Sequence, residues 1–331
     1  MSLRIAVQMD DIAKLYPKWD NTLCLIEEAQ KRGHRVFCYQ PKDLVLHNGE
    51  LSANGFYIRL KNLHDADFYA AEPARINMRD VDIVLMRQDP PYDMHYITAA
   101  HLLEHIADDV LVLNNPKSVR DNPEKILVTH FPQFMADTII TSSADYAADF
   151  FAKHGDVVIK PLYHAGGKGV IRAKTKSDFN QKFADQFANF AAPLMIQEFL
   201  PGVIHGDKRA VFLDGELIGV FVRGVREGNF WTVGQEFAFE RIGDLTPIEQ
   251  KICGVLSPVF KKRDLFFVGI DLIDGKLTEI NVTSPAGIRE IDTYYGTKPQ
   301  ALFWDKAEAK RLLTICHSER GAAAPTRNLQ T

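Results

Sequence analysis

Residues 271–290 read DLIDGKLTEINVTSPAGIRE and put Asp271, Glu279 and Asn281 on either side of an Asp274-Gly275 pair. The β-type runs FFVGIDLI and KLTEINV flank that pair, a pattern that predicts a hairpin. Register decides what the polar residues can do. A two-residue loop would pair Ile273 with Lys276 and place Asp271 and Glu279 on opposite faces. A three-residue loop, with Gly275 left-handed in a bulge, brings the odd-numbered residues of both strands together. The apolar pattern selects the second arrangement. Phe266, Val268, Ile270, Leu272, Ile280 and Val282 make one continuous buried face, and a one-residue slip would split it. The other face then carries Gly269, Asp271, Glu279 and Asn281. Carboxylates held this close repel unless a cation or a proton lies between them. An all-oxygen ligand set suits Mg2+ or Mn2+ bound together with a substrate phosphate. Taken alone, such a face also fits a solvated edge hairpin; the rest of the chain turns the reading toward a metal site.

Other charged residues sit at element ends. The strand DVVIKPL (156–162) ends at Lys160, because Pro161 cannot continue the ladder. The loop YHAGGKGV follows; it lacks the P-loop spacing, but Gly166 and Gly167 let its backbone fold over phosphates as a mobile flap. PLMIQEFLPG (193–202) reads as a strand, and GDKRAVFLDGELIGVFVRGV (206–225) as a second hairpin turning at Asp214-Gly215. The strand VDIVLMR (81–87) ends at Arg87. Ligands of open α/β sheets lie beyond the carboxyl ends of strands, so Arg87 is placed for an anionic substrate, a surface ion pair being the other use of such an arginine.

These groups need a scaffold, and the chain is long enough for two or three domains: 331 residues, 46% hydrophobic and 25% charged. The net charge of −4 and the lack of a basic stripe exclude a nucleic-acid partner. No apolar run spans a bilayer, and LRIAVQM near the N-terminus reads as a strand rather than a secretory core, so no membrane partner is expected. Cys24, Cys38, Cys253 and Cys316 are scattered with no CxxC, which predicts a reducing cytoplasm. LRIAVQM (3–9), a helix over 21–34 and RVFCYQ (35–40) open the chain as βαβ, which predicts a parallel sheet. The pattern further predicts helices over 95–109, 118–131, 246–263 and 301–316, a domain boundary near residue 120, and a disordered tail over 316–331.

In order along the chain stand Lys125, Lys160, the Gly166-Gly167 flap, IQEFL, GDKR and the Asp…Glu-x-Asn hairpin. This series resembles the ATP-grasp superfamily. LMRQDPP, RDNPEK, IKPL, GDKR, FVGIDLI and LTEINVTSPAGIREI resemble, over about residues 1–315, the bacterial glutathione synthetases. The resemblance implies an α/β protein, α+β in its C-terminal half, of ATP-grasp fold with an N-terminal Rossmann-like parallel-sheet domain. Residues 1–120 would form that domain, 121–203 the small lid subdomain and 204–315 the catalytic subdomain. It implies a ligase that phosphorylates a substrate carboxylate with ATP and lets an amine displace phosphate, joining γ-glutamylcysteine and glycine in a homo-oligomer, a tetramer in the family.

By the same resemblance, Asp271, Glu279 and Asn281 would hold two Mg2+ (or Mn2+) ions, Glu279 bridging, while Lys125 and Lys160 reach the nucleotide phosphates. Arg209 would stabilise the transferred phosphoryl group, with Lys160 beside it. Glu198, Phe199 and Leu200 would read the adenine edge, Asp207 would approach the ribose, and Gly166 and Gly167 would cover the phosphates. Ser284, Pro285 and Ala286, with Arg87, would shape the substrate site. Arg226 and Asn229 correspond to the Arg-x-Asn of the family lid, but stand one residue further apart, and the lid's Gly pair has become Gly234-Gln235, with Phe230 and Trp231 inserted. Changed lid chemistry bears on the amine, normally glycine, and leaves open a paralogue with another acceptor or a nucleotide-binding protein without turnover.

Overall fold

The computed structural model describes residues 2–225 and 239–322. The N-terminal part is built from β1 (Arg4–Gln8), α1 (Asn21–Lys31), β2 (Arg35–Tyr39), β3 (Leu44–His47), β4 (Glu50–Leu60), β5 (Tyr69–Asn77), β6 (Ile83–Met86), α2 (Met94–Glu104) and β7 (Leu111–Leu113). Its sheet runs β3-β4-β2-β1-β6-β7, with β5 on β4. The β2-β1-β6-β7 part is parallel, as the βαβ opening predicts. Its strands are almost wholly buried and apolar, the signature of a sheet covered on both faces. The β3-β4-β5 extension is antiparallel and falls in a stretch, 41–80, that the periodicity left unassigned; its strands are half exposed, and Pro73 sits on edge strand β5.

The single helix expected over 118–131 is two short ones, α3 (Pro116–Asp121) and α4 (Glu124–Leu127). Pro123 is the cause. A residue before proline is driven out of the helical region, and Asn122 has φ −132° and ψ 65°. The helix expected to reach 109 stops at Glu104.

A second, antiparallel sheet, β10-β9-β11-β8, follows, with β8 (Thr138–Thr141), α5 (Ala144–His154), β9 (Val157–Pro161), β10 (Ile171–Ala173), α6 (Lys176–Phe190) and β11 (Leu194–Glu198). It has its own core of Phe151, Val157, Ile159, Phe179, Phe183, Leu194 and Ile196. The third sheet, β14-β13-β12-β15-β16, is antiparallel throughout. It comprises β12 (Asp207–Leu213), β13 (Glu216–Arg223), β14 (Phe239–Ile242), β15 (Phe267–Ile273) and β16 (Lys276–Asn281), with α7 (Pro247–Lys262) between β14 and β15. α8 (Ile288–Tyr295) and α9 (Pro299–Ala322) complete the described chain. α9 continues past 316, where a tail was expected, because no proline or glycine interrupts it before Gly321. Among the described residues no helix is long and apolar enough to cross a membrane.

The first and third sheets share two cores, one holding Phe37, Val84, Leu103, Phe212, Val268 and Ile270, the other Val7, Leu23, Leu85, Phe221, Phe266 and Trp304. Asn114, 4% exposed, stitches them together. Its Nδ2 donates to the carbonyls of Phe267 (2.8 Å) and Val282 (2.7 Å), and its Oδ1 accepts from the Phe267 N–H (2.7 Å). Asn114→Ala would leave those three buried backbone groups without partners, so it should destabilise the fold by about 3 kcal/mol or more, read as a lower urea midpoint at unchanged slope.

Candidate active site

The hairpin β15-β16 pairs Gly269 with Asn281 and Asp271 with Glu279, so the three oxygen-bearing side chains lie on one face as the apolar pattern required. The opposite face is closed, with Val268, Ile270, Ile280 and Val282 at 0% exposure. The turn differs from expectation. Ile273 pairs with Lys276, and Asp274 (φ 52°) and Gly275 (φ 67°) are both left-handed, a two-residue type I′ turn. The extra residue sits further up, at Thr278, where the register shifts between Asp271 and Leu272. A type I′ turn matches the strand twist, and the bulge then restores the register that burial demands. The buried, odd-numbered Leu277 was the signal for it. Thr278 Oγ1 donates to the Asp271 carbonyl at 3.1 Å and anchors the bulge.

Directly opposed carboxylates about 5 Å apart repel by about 3 kcal/mol at an effective dielectric of about 20. Cations from three elements answer this. Arg209, on β12 opposite Asp271, forms a two-pronged pair with its carboxylate, one contact being Nη2 to Oδ2 at 2.8 Å. Arg223, at the end of β13, reaches Asp271 Oδ1 at 2.9 Å and is itself gripped by Asp207 through two bonds of 2.7 and 2.6 Å. Asn281 Nδ2 donates to Asp271 Oδ2 at 3.1 Å. Burial works against the Asp271 charge, but Arg209 and Arg223 overcome it and hold the carboxyl below the usual carboxylate range. Strand alternation sends Asp207 and Arg209 to this face, while Lys208 between them pairs with Glu249 of α7 at 2.7 Å.

Glu279 pairs with Lys125 Nζ at 2.7 Å. Lys125 comes from α4, and Glu124 beside it fastens that helix to the end of β16. The Glu124 carboxylate accepts from Val282 N–H (2.9 Å), Thr283 N–H (3.1 Å) and Thr283 Oγ1 (2.8 Å). Burial and the neighbouring Glu279 push its carboxyl up. The break at Pro123 is what starts this helix where both residues face the hairpin. Lys125 also donates to the His164 carbonyl at 2.5 Å, which ties the flap to the site. In the flap, Gly166 (φ 63°) and Gly167 (φ 73°) occupy the left-handed region that favours glycine.

Lys160, on β9, donates to Gln197 Oε1 at 2.7 Å, and burial pushes its amine down to about 8. Lys125, Lys160, Gly166, Gly167, Glu198, Phe199, Leu200, Asp207, Arg209, Asp271, Glu279 and Asn281 all line one cleft, walled on its apolar side by Val158, Val170, Val203 and Ile273. Arg223, Gln197 and Thr278 join them, and Glu124 lines the adjoining cavity; none of these four was singled out from sequence.

That second cavity opens from the same point. It shares Gly166, Arg209, Arg223 and Asn281 with the cleft and is lined further by Ser284, Pro285, Ala286, Asp89 and Glu290. Arg87 is not on its wall. It is 6% exposed, donates to Thr22 Oγ1 (3.2 Å) and to the Pro285 carbonyl (3.0 Å), and lines a smaller cavity with Asp10, Asp20 and Asp89. Ser284 Oγ returns a bond to the Arg87 carbonyl at 3.1 Å, so Arg87 braces the 284–286 loop. Arg226 and Asn229 lie outside the described residues.

The donor set is oxygen only: two carboxylates on paired positions and a carboxamide, all on one face and already balanced by positive charge. Hard divalent cations that also bind phosphate oxygens fit it; a zinc-type nitrogen or sulfur site does not.

Comparison with known proteins agrees with this chemistry. Residues 3–120 match the family model "Prokaryotic glutathione synthetase, N-terminal domain", and residues 124–296 match "Prokaryotic glutathione synthetase, ATP-grasp domain". Glutathione synthetases of Rhodopseudomonas palustris (43% identity) and Brucella melitensis (41%) align over 94% of this chain and 100% of their own lengths. Among solved structures, D-cycloserine synthetase superposes with a TM-score of 0.65 at 15% identity, covering 92% of this chain and 99% of its own. The D-alanine–D-alanine ligase of Bacillus anthracis, complexed with ATP, gives 0.60 at 14% identity, covering 96% and 100%. At that identity these two show the ATP-grasp fold alone.

Lys160 gives the cleft a pH signature. Its amine is neutral above about pH 8 in the free protein, whereas an anionic phosphate is held by the charged form. Nucleotide binding should therefore take up protons around and above pH 8, and affinity should fall by up to about tenfold per pH unit there. Calorimetry in buffers of different ionisation enthalpy checks this; Lys160→Met should abolish the proton uptake.

Proposed function

The chain belongs to the prokaryotic glutathione synthetase family and is an ATP-dependent carboxylate–amine ligase of ATP-grasp fold; on that premise we propose that it joins γ-glutamylcysteine to glycine, releasing ADP and phosphate. ATP-grasp ligases use ATP and divalent metal ions, and we assign Mg2+, or Mn2+, as a pair of ions held by Asp271, Glu279 and Asn281. The observation that carries the reading is the cross-strand pairing of Asp271 with Glu279 inside the cleft, beside Asn281, which lines both cavities.

Adenine enters between the apolar walls of the cleft. The N–H groups of Glu198 and Phe199 already donate to the carbonyls of Asp137 and Asp156, which leaves the Leu200 N–H as the hinge donor for the base edge. Asp207 grips Arg223 by both oxygens, so its main task is to aim that guanidinium, and contact with the ribose is secondary. Lys125, Lys160 and the Gly166-Gly167 backbone take the phosphates. Bound divalent ions supply charge neutralisation along the triphosphate.

The dipeptide carboxylate lies in the second cavity, against Ser284, Pro285 and Ala286. One of its oxygens attacks the terminal phosphorus; the bond to the ADP oxygen breaks and an acyl phosphate forms. Arg209 and Arg223 face that transfer from fixed positions and need no rearrangement to stabilise its charge. The amine then attacks the acyl carbon and phosphate leaves. Glycine is the acceptor we assign, and Arg226 and Asn229 are assigned to its recognition on sequence alone. The resemblance further suggests a homotetramer, and buried free Cys24, Cys38 and Cys253 accord with a reducing cytoplasm.

Purified protein with ATP and Mg2+ should release ADP and phosphate only when both γ-glutamylcysteine and glycine are present, and EDTA should stop it. An amine panel read by phosphate release separates glycine from other acceptors. Turnover with a different amine alone would replace the substrate assignment; none with any amine would remove the ligase function. Glu279→Gln should lower kcat by more than about 100-fold, the upper end for loss of an outer-sphere partner.

A further inference from the structure

The ligase chemistry described above leaves one buried charge without a task. Glu290, in the first turn of α8, is 8% exposed and forms part of the wall of the second cavity. Its Oε2 has no hydrogen-bond partner among the described residues. Burial pushes its carboxyl up, while its own backbone N–H, Arg209, the Asn21 side chain and Arg223 draw it back. A buried carboxylate with incomplete partners is costly, and a cation docking beside it would remove that cost.

The position of Glu290 is fixed with care. The Asn21 carboxamide oxygen accepts the N–H groups of Gly287 (3.2 Å), Ile288 (2.8 Å) and Arg289 (3.2 Å), so the start of α8 is held from the N-terminal domain. Arg289 adds bonds to the carbonyls of Asp20 (2.8 Å) and Pro17 (3.2 Å). Such bracing delivers one carboxylate to one place in the cavity.

We propose that Glu290 receives the ammonium group of the acceptor amine and sets its nitrogen beside the acyl phosphate, where the nitrogen loses one proton to solvent before its lone pair attacks the acyl carbon. This rests on the ligase reading and deepens it. The reason for choosing the acceptor is location. Glu290 lies within electrostatic reach of Arg209 and Arg223, the pair that lines both cavities where the acyl phosphate forms. The attacking nitrogen must come to that point, whereas the ammonium of a γ-glutamyl dipeptide lies a whole side chain away from the reacting carboxyl. A second carboxylate of the cavity, Asp89, is hydrogen-bonded to Ser284, has Asp10, Arg87 and Asp20 as further neighbours, and belongs to the far end.

The test measures the KM of each substrate separately in the wild type, Glu290→Gln, Glu290→Asp and Asp89→Asn. Glu290→Gln keeps the shape and removes the charge. It should raise the KM for the amine about 10- to 100-fold, with the KM values for ATP and dipeptide within about threefold of wild type; Glu290→Asp should fall between. Isotope scrambling within ATP on addition of dipeptide alone, which reports acyl phosphate formation without the amine, should persist in Glu290→Gln. A rise in the dipeptide KM instead, an unchanged amine KM, or the same amine effect in Asp89→Asn each overturns the assignment while the ligase reading stands. Failure of the wild type to turn over with any amine overturns both.

Discussion

Two carboxylates on neighbouring positions of a β-ribbon can persist only if positive charge is within reach, and that requirement organises the whole cleft. Arg209 and Arg223 converge on Asp271, and Lys125 on Glu279. Each cation comes from a different element, so each must be brought in by the fold. The balance is asymmetric. Asp271 is clamped by two guanidinium groups and kept ionised against burial, whereas Glu279 has a single lysine that also bonds the flap carbonyl at His164. Removing one member of such a buried set strands the others, at a cost of about 3–5 kcal/mol. In the proposed reaction the same groups face the triphosphate, and the charges that balance one another in the cleft are those the phosphates would meet.

The supports of this set lie outside it. Glu124 holds α4 to β16 through three bonds, Asp207 aims Arg223, Gln197 meets Lys160, and Asn114 couples the first and third sheets. The small sheet keeps a core of its own and touches the site through Lys160, Gln197, the hinge residues after β11 and the flap. In the proposed reaction, a cleft between a sheet with an independent core and a sheet fused to the N-terminal domain divides the chemistry between its walls: hinge, Lys160 and flap on one, the oxygen-bearing side chains and guanidinium groups on the other. The adjoining cavity belongs to the third sheet and α8, with the N-terminal domain supplying its braces through Asn21 and Arg87.

The register of the β15-β16 hairpin was legible because burial leaves only one solution: a slip would have put Ile270 and Ile280 on opposite faces. Its turn differs from expectation because Gly275 belongs to a two-residue turn and the extra residue is Thr278, a position marked only by the buried, odd-numbered Leu277. Lys125, Lys160 and Arg209 entered through family resemblance, since no spacing rule links a helix lysine to a strand lysine 35 positions away. Arg223 went unnoticed although the Asp214-Gly215 hairpin pairs it with Asp207; one bulge, invisible in composition, separates that register from its neighbour. Glu124 looked like an ordinary residue of a helix start. Its burial arises from contact with a segment more than 150 positions away.

Local physics thus settled what is local or periodic: the parallel βαβ opening, the apolar face of the metal-type hairpin and the glycine flap, whereas β9 runs one residue past its expected end at Lys160 and pairs Pro161 with Leu194. The settled features follow from steric limits on φ and ψ and from a side-chain period of two, both written in consecutive residues. Tertiary structure alone decided which charges meet. Arg87 became a brace for the 284–286 loop, and Glu290 came to lie near Arg209 and Arg223, because the N-terminal sheet, α8 and the third sheet close on one another around a shared core. Ion pairing depends on distance in space through a low-dielectric interior, and that distance is set by packing between segments that the linear order keeps far apart.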